Sequence, residues 1–283
     1  MREVIVSEHA GFCFGAGRGV ETVEKAIEEG GFIYTFGPIL NNAMVVSDFE
    51  KKGVKVVESV EELKSLPKGK VIIRSHGVPR ATYEAIKATG HELIDATCPF
   101  VKRIHNIVEK QSSEGDRIIV IGNPKHPEVI GIVGWSHTGA EVIENSDDID
   151  NLAVNKGEKV TLVSQTTFNR NKFQELVEKI EKNVYNVNCM NTICDATAVR
   201  QREARELAGR VNIMIVIGDT HSSNSKKLYE ICSEVCEHTM FVLDASDVRG
   251  NLPEVDGPVG ITAGASTPKY IIEEVQSYVR NDF

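Results

Sequence analysis

Residues 92–108 read ELIDATCPFVKRIHNIV, and their pattern indicates the fold class. Its first four residues predict a short strand, whereas Ile104, Ile107 and Val108 recur at the spacing of one helix face. Cys98 lies between them, just ahead of the predicted helix. The stretch therefore predicts a strand, a turn that carries a cysteine, and a helix.

Two other parts of the chain repeat this order. Val4–Val6 precedes Cys13 and a helix, and residues 184–187 precede Cys194 and a helix that starts near Ala196. The three cysteines are 85 and 96 residues apart, which indicates a weak internal repeat. We therefore expect three α/β domains, each with one cysteine at a helix start. The predicted domains are residues 1–96, 97–192 and 193–283.

Short runs rich in valine and isoleucine alternate with helical patterns along the whole chain. These runs are apolar on both faces, as strands buried in parallel sheets are. Strands that alternate with helices indicate α/β layers and parallel sheets. The predicted strands are Val4–Val6, Ile33–Phe36, Val71–Arg74, Glu92–Asp95, Arg117–Ile121, Lys159–Val163, Asn212–Ile217, Met240–Leu243 and Val259–Thr262.

The composition is that of an ordinary globular protein. The 283 residues are 41% hydrophobic and 26% charged, and the net charge is −9. This excess of negative charge argues against a large nucleic-acid interface, and no run of residues reaches the length of a membrane helix. The first residues read as a strand and not as a secretory signal, so we expect a cytoplasmic protein with reduced cysteines.

The position of each cysteine ahead of a helix points to metal chemistry. The partial positive charge at a helix N-terminus lowers a thiol pKa and favours the thiolate that iron and zinc require. Three such ligands around one iron–sulfur cube would leave one iron open to substrate. The alternative is that each cysteine is a small buried apolar residue. Cys189 is expected to be structural, while Cys232 and Cys236 either fill a helix face or share one metal.

Polar clusters follow several of the predicted strands. Ligands bind at the carboxyl ends of parallel strands in α/β folds, so these loops should share one cleft. Serines and backbone amides at helix starts suit an anionic group such as phosphate, and Glu128 beside His126 suits proton donation to a leaving hydroxyl. An N-cap serine, or a histidine bonded to backbone, would also explain a single cluster. The clusters are Arg74–Gly77, Asn123–Glu128, Gln165–Thr167, Ser222–Ser225 and Ala265–Thr267.

Eight motifs along the chain occur in the same order in one known family. They are Gly11–Gly15, Arg74–Gly77, Asp95–Pro99, His126–Val129, Gln165–Thr167, Asn191–Thr197, Ser222–Ser225 and Ala263–Pro268. On these residues the chain resembles the LytB/IspH family, whose members are 4-hydroxy-3-methylbut-2-enyl diphosphate reductases. The resemblance implies a trefoil of three pseudo-symmetric α/β domains around a central [4Fe–4S] cluster. It also implies the last step of the non-mevalonate isoprenoid pathway, in which two electrons and two protons expel water and give isopentenyl and dimethylallyl diphosphates.

The resemblance further implies roles for individual residues. The cluster ligands would be Cys13, Cys98 and Cys194. The proton relay would comprise Glu128, His126, Thr166 and Thr167. The diphosphate would be held by Asn41, His76, His126, Ser222, Ser223, Asn224 and Ser266.

Three places depart from the family pattern. Asn41 stands where the motif Gly-Pro-Ile-x-His-Asn usually carries its histidine, and asparagine cannot carry a charge. Residues 15–19 read GAGRG in place of the usual Gly-Val-x-Arg-Ala, which puts smaller side chains beside the cluster. Asp219 replaces a frequent glycine and adds a negative charge near the expected anion site. We hypothesise that these changes weaken diphosphate recognition and shift the substrate range.

Three functions are therefore considered: the family reductase, a paralogous [4Fe–4S] reductase or dehydratase with another substrate, and a non-catalytic redox or electron-transfer protein. Retention of Glu128 and both threonines argues against the third, because electron transfer alone needs no proton relay. The sequence contains no glycine fingerprint for NAD and no flavin motif, so a reduced ferredoxin or flavodoxin is the expected electron donor. We expect a monomer, because closure of a trefoil already buries the domain faces.

Overall fold

The computed structural model describes residues 2–152, 157–183 and 186–281. Within these ranges the chain forms twelve strands and twelve helices in strict alternation. The strands are β1 Val4–Val6, β2 Ile33–Phe36, β3 Val54–Val57, β4 Lys70–Ile73, β5 Glu92–Asp95, β6 Arg117–Ile121, β7 Ala140–Ile143, β8 Val160–Ser164, β9 Val187–Cys189, β10 Ile213–Ile217, β11 His238–Val242 and β12 Val259–Ala263. The helices are α1 Phe14–Glu29, α2 Ala43–Lys51, α3 Val60–Lys64, α4 Arg80–Lys87, α5 Pro99–Ser113, α6 Pro127–Val133, α7 Ser146–Asp150, α8 Arg170–Asn183, α9 Asp195–Ala208, α10 Ser223–Ser233, α11 Ala245–Val248 and α12 Lys269–Asn281.

The strands form three four-stranded sheets, and each described strand pair is parallel. The strand orders are β1-β12-β10-β11, β3-β2-β4-β5 and β7-β6-β8-β9. Parallel neighbours need a crossover connection, and here helices supply it. The predicted fold class, α/β with parallel sheets, is confirmed.

The chain divides into two compact units. The first unit comprises the described residues of 1–17, 40–47 and 195–283, and the second those of 18–39 and 48–194. The first unit contains the sheet β1-β12-β10-β11, in which Val4 of β1 pairs with Val259 of β12. The second unit contains the other two sheets. The division into three domains at residues 96 and 192 stays a prediction.

All nine predicted strands are present within two residues of their predicted bounds. The pattern does not predict β3 and β7, and both are edge strands of their sheets. An edge strand has a neighbour on one side only and tolerates charged side chains, such as the exposed Lys55 in β3 and Glu141 in β7. These charges interrupt the apolar run that marks a buried strand. Of the segment 184–187, residues 184–185 lie outside the described residues, and β9 begins at Val187.

Successive residues of β10 pack on opposite faces of the sheet in the first unit. Ile215 belongs to a core cluster with Ile271 of α12, whereas Met214 belongs to a cluster with Leu207 of α9 and Leu228 of α10. Each fully buried side chain of this kind stabilises the fold by about 1.5–3 kcal/mol. Helices on both faces explain why the strand is apolar throughout. In the part of the chain that the structure describes, no helix is long and apolar enough to cross a membrane.

Candidate active site

In the first unit, Cys13 lies in the loop after β1 and directly precedes α1. Its N–H donates to the carbonyl oxygen of Ala265, in the loop after β12, at 3.2 Å, and its Sγ accepts a hydrogen bond from the N–H of Ala16 at 3.4 Å. Ser266, the next residue of that loop, donates its hydroxyl to the carbonyl oxygen of Asn41 at 3.1 Å. The structure thus brings Cys13, Ser266 and Asn41 into one set of loops.

Ser222 and Asn224 follow β10 at the same edge of this sheet, where α10 begins. Ser222 is the N-cap, and its Oγ accepts hydrogen bonds from the N–H and the hydroxyl of Ser225, at 3.3 and 2.9 Å. Its own hydroxyl proton can still be donated to a ligand. Asn224 is 4% exposed, and neither atom of its side-chain amide has a partner among the described residues. A buried unpaired amide is costly, so Asn224 is suited to bind a polar ligand, and the half-buried Ser223 stands beside it.

In the second unit, a series of contacts begins at Cys98, the N-cap of α5. The N–H of Cys98 donates to the carbonyl oxygen of Ser75, in the loop after β4, at 3.0 Å. The adjacent His76 lies edge-on to His126, the N-cap of α6, with ring centroids 5.4 Å apart. The cysteine and the two histidines therefore lie on neighbouring segments of this unit.

Both histidines are neutral at neutral pH. Burial, followed by the electrostatic interactions with His126 and Arg74, holds the pKa of His76 well below its ordinary value. Burial, and to a smaller extent the charge of Arg74, lowers the pKa of His126 to about 4. His126 Nδ1 accepts a hydrogen bond from the N–H of Glu128 at 3.2 Å, so the neutral ring carries its proton on Nε2. His126 can therefore donate a hydrogen bond without carrying a charge.

Glu128 is a buried carboxyl group in the first turn of α6, with 2% of its surface exposed. Its Oε1 accepts the N–H of Thr166 at 2.6 Å, and its Oε2 accepts the hydroxyl of Thr166 at 2.7 Å. Burial raises the pKa of Glu128, and the two bonds from Thr166 oppose this rise only in part. A carboxyl group with a raised pKa keeps its proton closer to neutral pH and can act as a general acid.

Thr166 also connects this carboxyl group to Cys194, because its carbonyl oxygen accepts the N–H of Cys194 at 3.0 Å. Thr167 is oriented differently, and its Oγ1 accepts a hydrogen bond from Gln165 Nε2 at 3.0 Å. The contacts of the second unit thus run without a gap through Cys98, Ser75, His76, His126, Glu128, Thr166 and Cys194.

Two arginines support the site, although the sequence pattern predicts no role for them. Arg18 of α1 donates from Nη1 to the carbonyl oxygen of Thr97, the residue before Cys98, at 3.1 Å. The guanidinium of Arg74 packs against Gly37, where a methyl group would lie 2.6 Å from Nη1. Their presence inside quoted motifs is the only signal that the sequence carries, because both contacts join segments distant in the chain.

The other three cysteines are not part of these contacts. Cys232 and Cys236 belong to the core cluster between α9 and α10, and Cys232 Sγ donates to the carbonyl oxygen of Ala204 at 3.7 Å. Burial raises the pKa of Cys232 to about 12 and also raises the pKa of Cys189. Packing therefore explains Cys232 and Cys236 better than a shared metal does.

The chemistry of Cys13, Cys98 and Cys194 fits an iron–sulfur group. All six cysteines lie in the described ranges, and none of them forms a disulfide. Each of the three is half-buried and directly precedes a helix. The N–H of Ala16 donates a hydrogen bond to the sulfur of Cys13. Cysteine sulfur atoms are the ligands that iron–sulfur clusters use.

The ends of the parallel strands carry thiols, imidazoles and a buried carboxyl group. This arrangement is typical of an α/β enzyme, which binds its ligand at the carboxyl ends of its strands. The family model described as LytB protein matches residues 4–280, and the chain belongs to this family. A 4-hydroxy-3-methylbut-2-enyl diphosphate reductase from Alkaliphilus oremlandii is 43% identical over 282 residues, which cover 99% of each chain. The family resemblance that the motifs predict is therefore confirmed.

Two solved structures share the fold. The E-1-hydroxy-2-methyl-but-2-enyl-4-diphosphate reductase from Plasmodium falciparum has a TM-score of 0.92 at 28% identity, covering 99% of this chain and 87% of that one. An (E)-4-hydroxy-3-methyl-but-2-enyl diphosphate reductase, described as the terminal enzyme of the non-mevalonate pathway, has a TM-score of 0.73 at 39% identity and covers 99% of both chains.

His105 packs α5 against the segments that carry the two site histidines. Its side chain is 4% exposed and stacks on Trp135 with ring centroids 5.2 Å apart. Gly77 and Gly131 make room for this ring, since a methyl group on Gly77 would lie 2.6 Å from Cε1 and one on Gly131 would lie 3.4 Å from Nε2. Burial lowers the pKa of His105 to about 4, so the ring is neutral in the folded protein.

We predict that His105→Phe reduces the loss of stability in acid. The unfolded chain binds a proton at this histidine with a pKa near 6.5, whereas the folded protein holds the pKa at about 4, so stability falls as the pH drops through this interval. Between pH 7 and pH 5 the histidine accounts for about 2 kcal/mol of unfolding free energy. Urea unfolding of wild type and variant at both pH values measures this difference. An equal decline in the two proteins would contradict the prediction.

Proposed function

We propose that the protein is an oxidoreductase that converts 4-hydroxy-3-methylbut-2-enyl diphosphate to isopentenyl and dimethylallyl diphosphates with one [4Fe–4S] cluster. The observation that carries this proposal is the unbroken series of contacts from Cys98 to Cys194, which includes two neutral histidines and the buried Glu128. Membership of the LytB family and the names of the relatives support the choice of substrate.

Cys13, Cys98 and Cys194 hold the cluster in this proposal. When bound, the cluster supplies the electrons for the reaction and one metal position without a protein ligand. The three thiols support this role because each directly precedes a helix. Within the second unit, the bond from Arg18 to the carbonyl oxygen of Thr97 holds the residue before Cys98 in place.

The diphosphate is bound mainly by uncharged donors. His126 offers Nε2–H, Ser222 offers its hydroxyl proton, and the buried amide of Asn224 has no other partner among the described residues. Arg74 contributes positive charge behind the histidines, whose pKa values it helps to lower. The remaining proposed contacts are Asn41, His76, Ser223 and Ser266.

Glu128 donates a proton to the leaving hydroxyl. The C–O bond breaks, the hydroxyl departs with this proton as water, and the allylic carbon skeleton takes up two electrons and a second proton. Thr166 holds both carboxyl oxygens and so fixes the direction of the donor. Thr167, whose Oγ1 accepts a hydrogen bond from Gln165, adds a polar side chain next to Thr166.

Electrons come from an external donor, for which we propose a reduced ferredoxin or flavodoxin. The absence of a dinucleotide fingerprint from the sequence supports this assignment. We further propose that the chain acts as a monomer in the cytoplasm, with three α/β domains arranged as a trefoil around the cluster.

A paralogous reductase with another substrate is the second candidate, and Asn41 favours it. The carbonyl oxygen of Asn41 accepts the hydroxyl of Ser266, and its amide side chain cannot supply the charge that a histidine could. Loss of one charge-assisted hydrogen bond costs about 1.5–3 kcal/mol, or about ten- to a hundredfold in affinity. The raised pKa of Glu128 counts against a purely electron-transferring protein, which needs no general acid.

Anaerobic purification followed by turnover with a chemical reductant tests the proposal. We expect about four irons per chain and conversion of 4-hydroxy-3-methylbut-2-enyl diphosphate to both products. Cys98→Ala should lose bound iron and turnover, whereas the core variant Cys236→Ala should keep both. Protein that holds its iron but leaves the diphosphate unconverted would favour the second candidate. Full iron content in Cys98→Ala would refute the ligand assignment.

Glu128→Gln should lower kcat by about 10²–10⁴ because the amide cannot donate the carboxyl proton. Iron content should stay at the wild-type level, since Glu128 is not a proposed ligand. Glu114→Gln, at the exposed end of α5, is the matched control and should leave kcat unchanged. Steady-state turnover at saturating substrate measures the effect, and a kcat within twofold of wild type would exclude Glu128 as the general acid.

A further inference from the structure

Asp219 is a buried carboxylate that joins two segments of the first unit. It follows β10 after one glycine, and its side chain is 5% exposed. Its Oδ2 accepts the N–H of Ala43, the first residue of α2, at 2.9 Å, and its Oδ1 accepts the N–H of His221 at 2.7 Å. Each carboxylate oxygen thus binds a backbone donor, and Ala43 lies 176 residues away in the chain.

One further bond ties the α2 segment to another part of the first unit, and a bond within the segment orients Asn42. Asn42 is 2% exposed, and its Oδ1 accepts the N–H of Val45 at 3.2 Å. Asn41 accepts the hydroxyl of Ser266 through its carbonyl oxygen. The bond at Oδ1 fixes the direction of the Asn42 amide, whose Nδ2 is buried and has no partner among the described residues. Asn42 therefore presents a fixed donor that no other described residue uses.

The other side of Asp219 leads into the start of α10. Its carbonyl oxygen accepts the N–H of Ser222 at 2.9 Å, in addition to the side-chain bond with His221. Asn224, two residues further on, has the other buried side-chain amide without a partner in this part of the described chain. One carboxylate is thus bonded to the residue next to Asn42 and to the turn that leads to Asn224.

The protein itself supplies hydrogen-bond donors to the negative charge of Asp219. Its two bonds come from backbone N–H groups, and one of these belongs to the first turn of α2, whose N-terminus carries partial positive charge. An incoming anion therefore meets a carboxylate whose two oxygens are already hydrogen-bonded. The geometry favours a role in holding the two segments over a role in repelling the ligand.

We propose that Asp219 is a positioning residue for the diphosphate, and that Asn42 is a further residue that binds it. The carboxylate holds α2 and the start of α10 so that the Nδ2–H groups of Asn42 and Asn224 donate to phosphoryl oxygens. This inference rests on the proposed function, since it takes the bound anion to be the diphosphate of the substrate. It reverses the expectation that the charge of Asp219 weakens anion binding.

Asp219→Asn in the anaerobic, cluster-loaded protein is the first test. An amide offers one acceptor oxygen where the carboxylate has two, so one of the two N–H bonds is lost. We expect the Kd of inorganic diphosphate, measured by titration calorimetry, and the KM of the substrate each to rise about tenfold or more, with kcat within about twofold. Tighter binding of inorganic diphosphate would show that the carboxylate repels it and would overturn the proposal.

Ala43→Pro tests the same contact from its other side. Proline is well tolerated at the first position of a helix but has no N–H, so α2 can form without its bond to Asp219. The same rise of about tenfold or more in Kd and KM is expected, although the carboxylate is untouched. An unchanged Kd would overturn the positioning role even if Asp219→Asn failed to fold.

Asp244→Asn is the matched control. Asp244 follows β11, the neighbour of β10, and caps α11 by accepting the N–H of Ser246 at 2.7 Å. This variant should leave the Kd unchanged, and a rise as large as that of Asp219→Asn would mean general loosening and overturn the inference. Wild-type protein that neither binds inorganic diphosphate nor converts the substrate would overturn the proposed function as well. If the wild-type protein binds inorganic diphosphate and converts the substrate, and both test variants have the wild-type Kd and KM, this inference alone is overturned.

Discussion

The candidate site depends on a constraint of the parallel sheet: its strands run in one direction, so their carboxyl ends lie at one edge, where the following helices begin. Within the first unit this edge carries Cys13 after β1, Asp219 after β10 and Ser266 after β12. In the second unit, Cys98 and Cys194 follow β5 and β9 in the same way. Each of the three cysteines directly precedes a helix. The architecture thus fixes the position of each thiol at the start of a helix.

Burial has opposite effects on the acid and the bases of the second unit. It lowers the pKa of His76 and His126 and raises the pKa of Glu128, because a buried group loses the hydration that stabilises its charged form. The imidazoles are therefore neutral donors, and the carboxyl group retains its proton closer to neutral pH. Arg74 brings positive charge to these residues. This combination suits the binding of an anion next to a proton donor, which is the requirement of a reductive dehydroxylation.

The sequence predicts those features of the molecule that depend on residues close together in the chain. Buried strands such as β6 read as apolar runs, and the cysteines stand out because each lies between a strand pattern and a helix pattern. The bond of Arg18 to Thr97 and that of Asp219 to Ala43 join segments 79 and 176 residues apart, so no local pattern reveals them. The negative charge of Asp219 is visible in the sequence, but its pairing with two backbone N–H groups is not. Family resemblance suggests the natural substrate, because the spacing of the motifs and the amino-acid composition do not predict it.

The central claim is that Cys13, Cys98 and Cys194 bind one iron–sulfur cube that leaves a metal position for substrate. Crystals grown without oxygen, with diffraction data collected at the iron absorption edge, test it most directly. We predict a single compact group of anomalous iron density, bonded to the sulfur atoms of these three cysteines and to no other cysteine. Iron density away from them, or a cluster whose four irons are all bound by protein side chains, would contradict it.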